Sequence, residues 1–224
     1  MRIGIVSEGP ADIAVITNIL KGVTGLDTND IVPIQPRLKY DKTHLAHLEA
    51  TSFSTWSLVR QECLERKKIE EFLSLEDSTH VVIHIDAAEA NLYEVNIPEK
   101  DYHNYCNTLR KAIVDKIKEW LDNNFPDIIL HAVAIEETDA WVLAIFETRT
   151  SCEVVNPKRR LKFILNKKGE NSTSDYPNYL RLTKAFTKER EIIKSLNYNC
   201  SLRSFYEEVK QVITKANDET RGDV

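Results

Sequence analysis

The chain is predicted to be an α/β protein with a Rossmann-like, mainly parallel central sheet and a C-terminal helical extension. Three observations carry that prediction. Through roughly the first 150 residues, short apolar runs alternate with stretches of helical period, the pattern of βαβ units. Three of the runs stop at carboxylates: Ile3–Val6 before Glu8, Val81–Ile85 before Asp86, and Ile128–Ile135 before Glu136-Glu137. Beyond Glu137 the strand pattern ceases and everything reads as helical or irregular.

The first strand covers Ile3 to Val6. Pro10, favoured at the first position of a helix, opens a helix whose apolar stripe is Ile13, Ile16, Ile19 and Leu20, ended by Gly22 or Gly25. Ile31 to Gln35 is a second strand, and Pro33, lacking an N–H, demotes it to an edge. After a loop through Pro36 to Lys42, a helix from Ser52 to Leu73 carries Trp56, Val59, Cys63 and Phe72. Thr79 to Ile85 is the third strand. A helix from Asp101 to Asn123 follows, with Leu109, Ile113, Ile117 and Trp120 on one face. Ile128 to Ala134 is the fourth strand, and Thr138 to Phe146 the next helix. Later helices are expected at Lys158–Leu165, Asn178–Phe186, Lys188–Ser195 and Leu202–Ala216. Residues 1–150 then form the α/β body and 151–224 an extension that packs on it and covers the strand ends.

The 224 residues suffice for one sizeable core. No apolar run approaches the roughly 18 residues that span a bilayer, and Glu8 and Asp12 interrupt what would be a signal-peptide core. A cytoplasmic protein with no membrane association is the expectation. The net charge of −5 disfavours a protein that merely coats nucleic acid. It leaves room for a metal-dependent nuclease, whose acids the metal neutralises. No Walker A, GxGxxG or GxSxG sequence is present, so ATPase, dinucleotide-dependent and α/β-hydrolase readings have no support. Cys63, Cys106, Cys152 and Cys200 form no CxxC pair, which excludes a zinc ribbon by spacing, and Cys63 and Cys106 read as core thiols.

If the acid-tipped strands are parallel neighbours, their carboxylates share one edge of the sheet, where open α/β sheets bind ligands. Clustered carboxylates repel unless a cation sits among them, and oxygen ligands suit a hard divalent one. Glu8 could instead serve the dipole of the helix it precedes, Asp12 the same helix's first turn, and Asp86 a turn after its strand. Thr138 is a plausible N-cap, so only about one of Glu136, Glu137 and Asp139 is expected in the site, with Glu136 favoured. Lys158-Arg159-Arg160, with Lys162, Lys167 and Lys168, is the dense basic cluster, either a phosphate clamp or a solvated face. Trp141 and Tyr176 could stack on bases, although a Trp among Leu and Ile at helical spacing suits a core. His44 and His47 share a helical spacing but lack a third ligand; His84 and His131 lie inside strands, as core or near-site groups.

Ser7-Glu8-Gly9-Pro10-Ala11-Asp12, Asp86-Ala87-Ala88 and Asp139-Ala140-Trp141-Val142-Leu143-Ala144 together resemble the V-E-G-x-x-D, D-x-D and E-A-W-L-L-A motifs of Toprim-type proteins. More narrowly, the chain is similar to the small stand-alone, RloB-like members often classed as a domain of unknown function. The late Ser204-Phe205 before a helix is also similar. The resemblance implies Mg²⁺ or Mn²⁺ bound beside a phosphodiester of DNA or RNA, with Glu8 and Asp86 catalytic and Asp12 and Asp139 in support. Position 88 is alanine, so the second D-x-D acid is missing; Glu89, Glu136 or Glu137 could replace it. Such proteins accompany a separate ABC-type ATPase in defence modules. The expected partners are therefore nucleic acid, such an ATPase and further copies of the chain, and the alternative function is a catalytically degenerate subunit that assembles with or regulates the ATPase.

Overall fold

The computed structural model describes residues 1–37, 55–100, 104–152 and 154–222. Its centre is a four-stranded sheet of β1 (Arg2–Val6), β2 (Ile31–Gln35), β3 (Ser78–Asp86) and β4 (Ile129–Ala134), in the order β2-β1-β3-β4. Every pairing is parallel. The α/β, Rossmann-like class and its four strands are thus as expected, and β2 with its Pro33 is an edge strand. Helices cover both faces, which is why all the strands read as near-continuous apolar runs.

Helix α1 (Pro10–Thr24) starts at its proline and is closed by Gly25, whose left-handed φ of 74° lets its N–H bond Lys21 O at 3.0 Å. Gly22 lies inside the helix for a different reason. A Cβ there would fall 2.0 Å from the carbonyl oxygen of Phe186, so the absence of a side chain permits that close approach.

The predicted helix over 52–73 is two helices where it is described, α2 (Thr55–Glu65) and α3 (Lys67–Leu73). The chain breaks at Arg66, in the left-handed region at φ 58°. The buried Glu62 carboxylate accepts the Lys68 and Ile69 N–H groups at 2.7 and 3.1 Å, satisfying the first turn of α3 from the preceding helix. His44 and His47, and the start of that predicted helix, lie outside the described residues. Helix α4 (Tyr105–Trp120) links β3 to β4.

The carboxy-terminal portion comprises α5 (Asp139–Phe146), α6 (Pro157–Lys167), α7 (Tyr176–Leu182), α8 (Glu189–Leu196) and α9 (Cys200–Gly222). The helix predicted over 178–186 is α7 followed by a short 3₁₀ turn, Lys184–Thr187. Among the described residues, no helix is long and apolar enough to cross a membrane.

One face of the sheet, through Ile3, Ile5, Val82, Leu130 and Ala132, packs with α1 and with Leu161, Tyr179, Phe186, Leu202 and Phe205 of the later helices. The other face, through Val6, Val81, Ile83, Ile85 and Val133, packs with Val59, Cys63, Ile69, Ile113 and Ile117 of α2, α3 and α4. The extension therefore shares a core with α1. Asn18 of α1 reinforces the join, its buried amide donating to Leu180 O and Thr183 Oγ1, each at 2.8 Å. Trp141, offered as a base-stacking residue, is instead fully buried: its ring stacks on Phe205 at 5.7 Å and its Nε1–H donates to Ser201 Oγ at 2.8 Å. A residue so enclosed cannot reach a base. Tyr176 opens α7 and is half-buried.

Candidate functional site

The chain leaves β1 for one face of the sheet, through α1, and leaves the adjacent β3 for the other, through α4. The carboxyl ends of β1 and β3 thus flank a switch point, where the two connections diverge and open a crevice. Glu8 follows β1 and Asp86 ends β3, so both acids stand at this crevice. They meet directly, the Asp86 N–H donating to Glu8 Oε1 at 2.6 Å. Asp12, one turn into α1, points back toward the same place.

Between these acids lies His84, one residue pair up β3 and fully buried. Its Nδ1 is 4.0 Å from Asp12 Oδ2 and its Nε2 3.4 Å from Asp86 Oδ1. Thr138 completes the set: its hydroxyl is 2.8 Å from His84 Nε2 and donates to Asp86 Oδ1 at 3.1 Å, while its N–H donates to the same oxygen at 2.9 Å. A consistent chain runs from His84 Nε2–H to Thr138 Oγ1 and on to Asp86. Period and propensity alone give Thr138 as a helix cap and His84 as a strand residue; their meeting depends on the β3–β4 register.

The electrostatics follow from burial and crowding. Burial, then the charge of Asp86, push Glu8 from 4.5 to about 8. Burial lifts Asp12 from 3.8 to about 6, with His84 pulling it down and Asp86 adding to the rise. Burial alone would depress His84, but Asp12, Asp86 and Glu8 outweigh it and raise the imidazole from 6.5 to about 9. At neutral pH, then, Glu8 keeps its proton and His84 is an imidazolium. His84 thus places a positive charge of the protein's own among the acids.

The remaining expected residues are distributed around this centre. Asp139, at the start of α5, is buried and accepts a short hydrogen bond from Tyr179 OH of α7; burial raises it to about 7. Through Tyr179, α7 reaches the start of α5. Glu136 is ion-paired to Lys100, and its carbonyl accepts the Ala88 N–H at 2.9 Å. Glu89 is exposed on the 3₁₀ turn Ala87–Tyr93 that follows Asp86, and Tyr93 OH donates to Asp86 O at 3.0 Å. Glu137 accepts the Lys158 N–H at 3.3 Å, so the start of α6 abuts the acidic edge.

The basic cluster is divided. Arg159 and Arg160 line an open cleft of about 750 Å³ with Arg149, Asn156 and Phe163, a cleft to which neither Glu8 nor Asp86 contributes. Arg160 is clamped to Glu147. Lys158, not the arginines, is the basic residue whose field reaches Glu137 and Asp139.

Among the described residues, the group of His, Cys, Asp or Glu side chains that brings three ligand atoms within 4.8 Å of one another is not acidic; it is Cys106, Cys152 and Cys200. Linear spacing gives no hint of it, since the three cysteines come from different parts of the chain. Cys63 is a buried core thiol as expected, whereas Cys106 is half-buried and belongs to this group. The chain matches no protein-family model, no curated protein and no solved structure, so the chemistry of both places rests on their own atoms.

Proposed function

We propose that the chain is a Toprim-like phosphodiester hydrolase acting on DNA or RNA, Mg²⁺- or Mn²⁺-dependent and cytoplasmic. One observation carries the reading: Glu8 and Asp86, from adjacent parallel strands, meet at the switch point, where the Asp86 N–H donates to the Glu8 carboxyl at 2.6 Å. Glu8, its carboxyl raised by burial, stands in the ligand crevice of an α/β sheet, where reactive groups gather.

Two partly exposed carboxylates suit a magnesium-like ion, which binds through one or two of them and keeps several waters. Asp86 and a second acid, Glu89 or Glu136, would hold such an ion, with Glu8 either joining it or taking the proton; when bound, the ion would polarise a phosphoryl oxygen. The chain's own groups supply the rest. Glu8, at about 8, is matched to proton transfer near neutral pH. Thr138 and His84 fix the Asp86 carboxylate, and Asp12 balances the imidazolium from the other side. Lys158 offers a positive charge to a phosphate arriving over Glu137.

The test is cleavage of single- and double-stranded DNA and RNA with Mg²⁺ or Mn²⁺ by wild type, Glu8→Gln and Asp86→Asn. Loss of cleavage in both variants is expected, with the melting temperature of Glu8→Gln no lower than wild type; undiminished cleavage by Glu8→Gln would end this assignment.

A second reading is favoured by a specific feature. Ala88 leaves the D-x-D motif incomplete, while His84 already furnishes positive charge among the acids. A chain so balanced suits a non-catalytic subunit of a separate ABC-type ATPase. Absence of any Mn²⁺-dependent rise in melting temperature, with no cleavage, selects this reading, because a ligand bound only by the native state must stabilise it.

A further inference from the structure

Away from the acidic edge, three sulfurs converge from distant parts of the chain. Cys106 lies in the first turn of α4, Cys152 in the connection after α5, and Cys200 opens α9. Their Sγ atoms all lie within 4.8 Å of one another, and Cys152 and Cys200 approach to 3.0 Å. We propose that Cys106, Cys152 and Cys200 form a binding site for a thiophilic metal ion of the Zn²⁺ class.

The surroundings hold the sulfurs in place. The Ser151 N–H donates to Tyr198 O at 2.7 Å and its hydroxyl to the same oxygen at 3.1 Å, locking the Cys152 connection against the turn before α9. Asn199 caps α9 by accepting the Leu202 N–H at 2.9 Å, and its amide donates to Ser151 Oγ at 2.8 Å. The outcome is a rigid shell of the kind that orients metal ligands. Cys152 also receives the Cys200 N–H at 3.1 Å, so its sulfur sits on the N-terminus of a long helix, a setting that favours thiolate.

Tetrahedral zinc at about 2.3 Å from sulfur sets its sulfurs roughly 3.8 Å apart. Three sulfurs that all lie within 4.8 Å of one another are within reach of that edge, and the closest pair, at 3.0 Å, opens toward it when its shared proton is released on metal entry. A disulfide would engage two of these sulfurs and leave the third with no role, whereas a soft cation uses all three. Among the described residues no fourth His, Cys, Asp or Glu joins the group. The hard-cation chemistry proposed for Glu8 and Asp86 does not bear on this set.

The decisive experiment is a Co²⁺ titration of the whole protein, reduced and stripped with chelator, followed in the near ultraviolet. Expected is a sulfur-to-cobalt charge-transfer band saturating at one ion per chain and bleached by Zn²⁺. Cys106→Ser, Cys152→Ser and Cys200→Ser should each remove or weaken it; Cys63→Ser and Asp86→Asn should retain it. Should the Cys152 variant not fold, wild type alone suffices: Zn²⁺ must protect Cys106 and Cys200 from alkylation, scored by mass spectrometry. No cobalt band together with unchanged alkylation would overturn the proposal. So would a Cys152–Cys200 disulfide that forms equally fast with and without Zn²⁺, which would make the pair a redox couple.

Discussion

Replacing Glu8 by glutamine should stabilise the protein, and by an amount that depends on pH. The folded state holds the Glu8 proton up to about pH 8, whereas an unfolded chain loses it near 4.5. Between those values the native state binds one more proton than the unfolded state, so stability falls as pH rises, by about 1.4 kcal/mol per pH unit from this group. Glutamine abolishes that contribution, and its carbonyl oxygen can still accept the Asp86 N–H that Glu8 accepts now. The variant should therefore match wild type near pH 4.5 and exceed it by about 2–4 kcal/mol at pH 7.5, the upper figure being about 1.4 kcal/mol times three pH units. Beyond pH 8 the difference levels off. His84 adds a slope of the same sign between 6.5 and about 9, because its imidazolium is favoured in the fold and lost above that range. Between pH 4.5 and 8 wild type should consequently lose stability more steeply than the variant, by the Glu8 contribution. The assay is guanidinium unfolding with EDTA present, followed by circular dichroism at half-unit pH intervals. Equal stabilities at pH 7.5 with parallel pH profiles would refute the argument that Glu8 is an acid held protonated by burial.

Three further outcomes are expected. Gly22→Ala should cost about 3 kcal/mol or more, read as a fall in melting temperature, because its Cβ collides with a backbone carbonyl that no rotamer can move. Glu208→Ala should cost about 3 kcal/mol in denaturant unfolding; Glu208 bonds Arg110 at 2.7 Å and His131 Nδ1 at 2.7 Å, and its loss leaves an uncompensated guanidinium between α4, β4 and α9. Trp141→Phe should lose the bond to Ser201 and part of the stack on Phe205, for about 1–3 kcal/mol, seen as an earlier unfolding midpoint with unchanged far-ultraviolet dichroism.

The elements most legible in the sequence are those whose signals are local. Pro10 and Gly25 bracket α1 because one suits the first turn and the other a left-handed cap. Pro33 marks an edge strand because it cannot serve two neighbours. The acids at the ends of β1 and β3 were readable for the same reason, since a parallel sheet puts all its carboxyl ends on one side. What escaped depends on contacts between distant residues. Nothing near Arg66 announces a break; the cause is Glu62 reaching across to cap α3. His84 becomes the counter-charge of the acids only once α1 and Thr138 are packed around it. The basic run from Lys158 to Arg160 looks like one unit in sequence, yet helical geometry sends Arg160 to Glu147 and leaves Lys158 at the acidic edge. The cysteine group is invisible to any spacing rule, because three loops and helix starts assemble it.

The join between α1 and the later helices has a consequence for how the chain is made. During synthesis the first strand and α1 emerge early, with Ile13, Ile16, Ile19 and Leu20 on the helix's apolar face. Much of the cover for that face comes from Phe186, Ile192 and Phe205, and the bonds that fix Asn18 come from Leu180 and Thr183. The nascent protein must therefore carry an open hydrophobic surface until residues 180–205 have left the ribosome. Closing that contact is a long-range event, of the slow and aggregation-exposed kind. That face stays uncovered until residues near 205 are available to close over it.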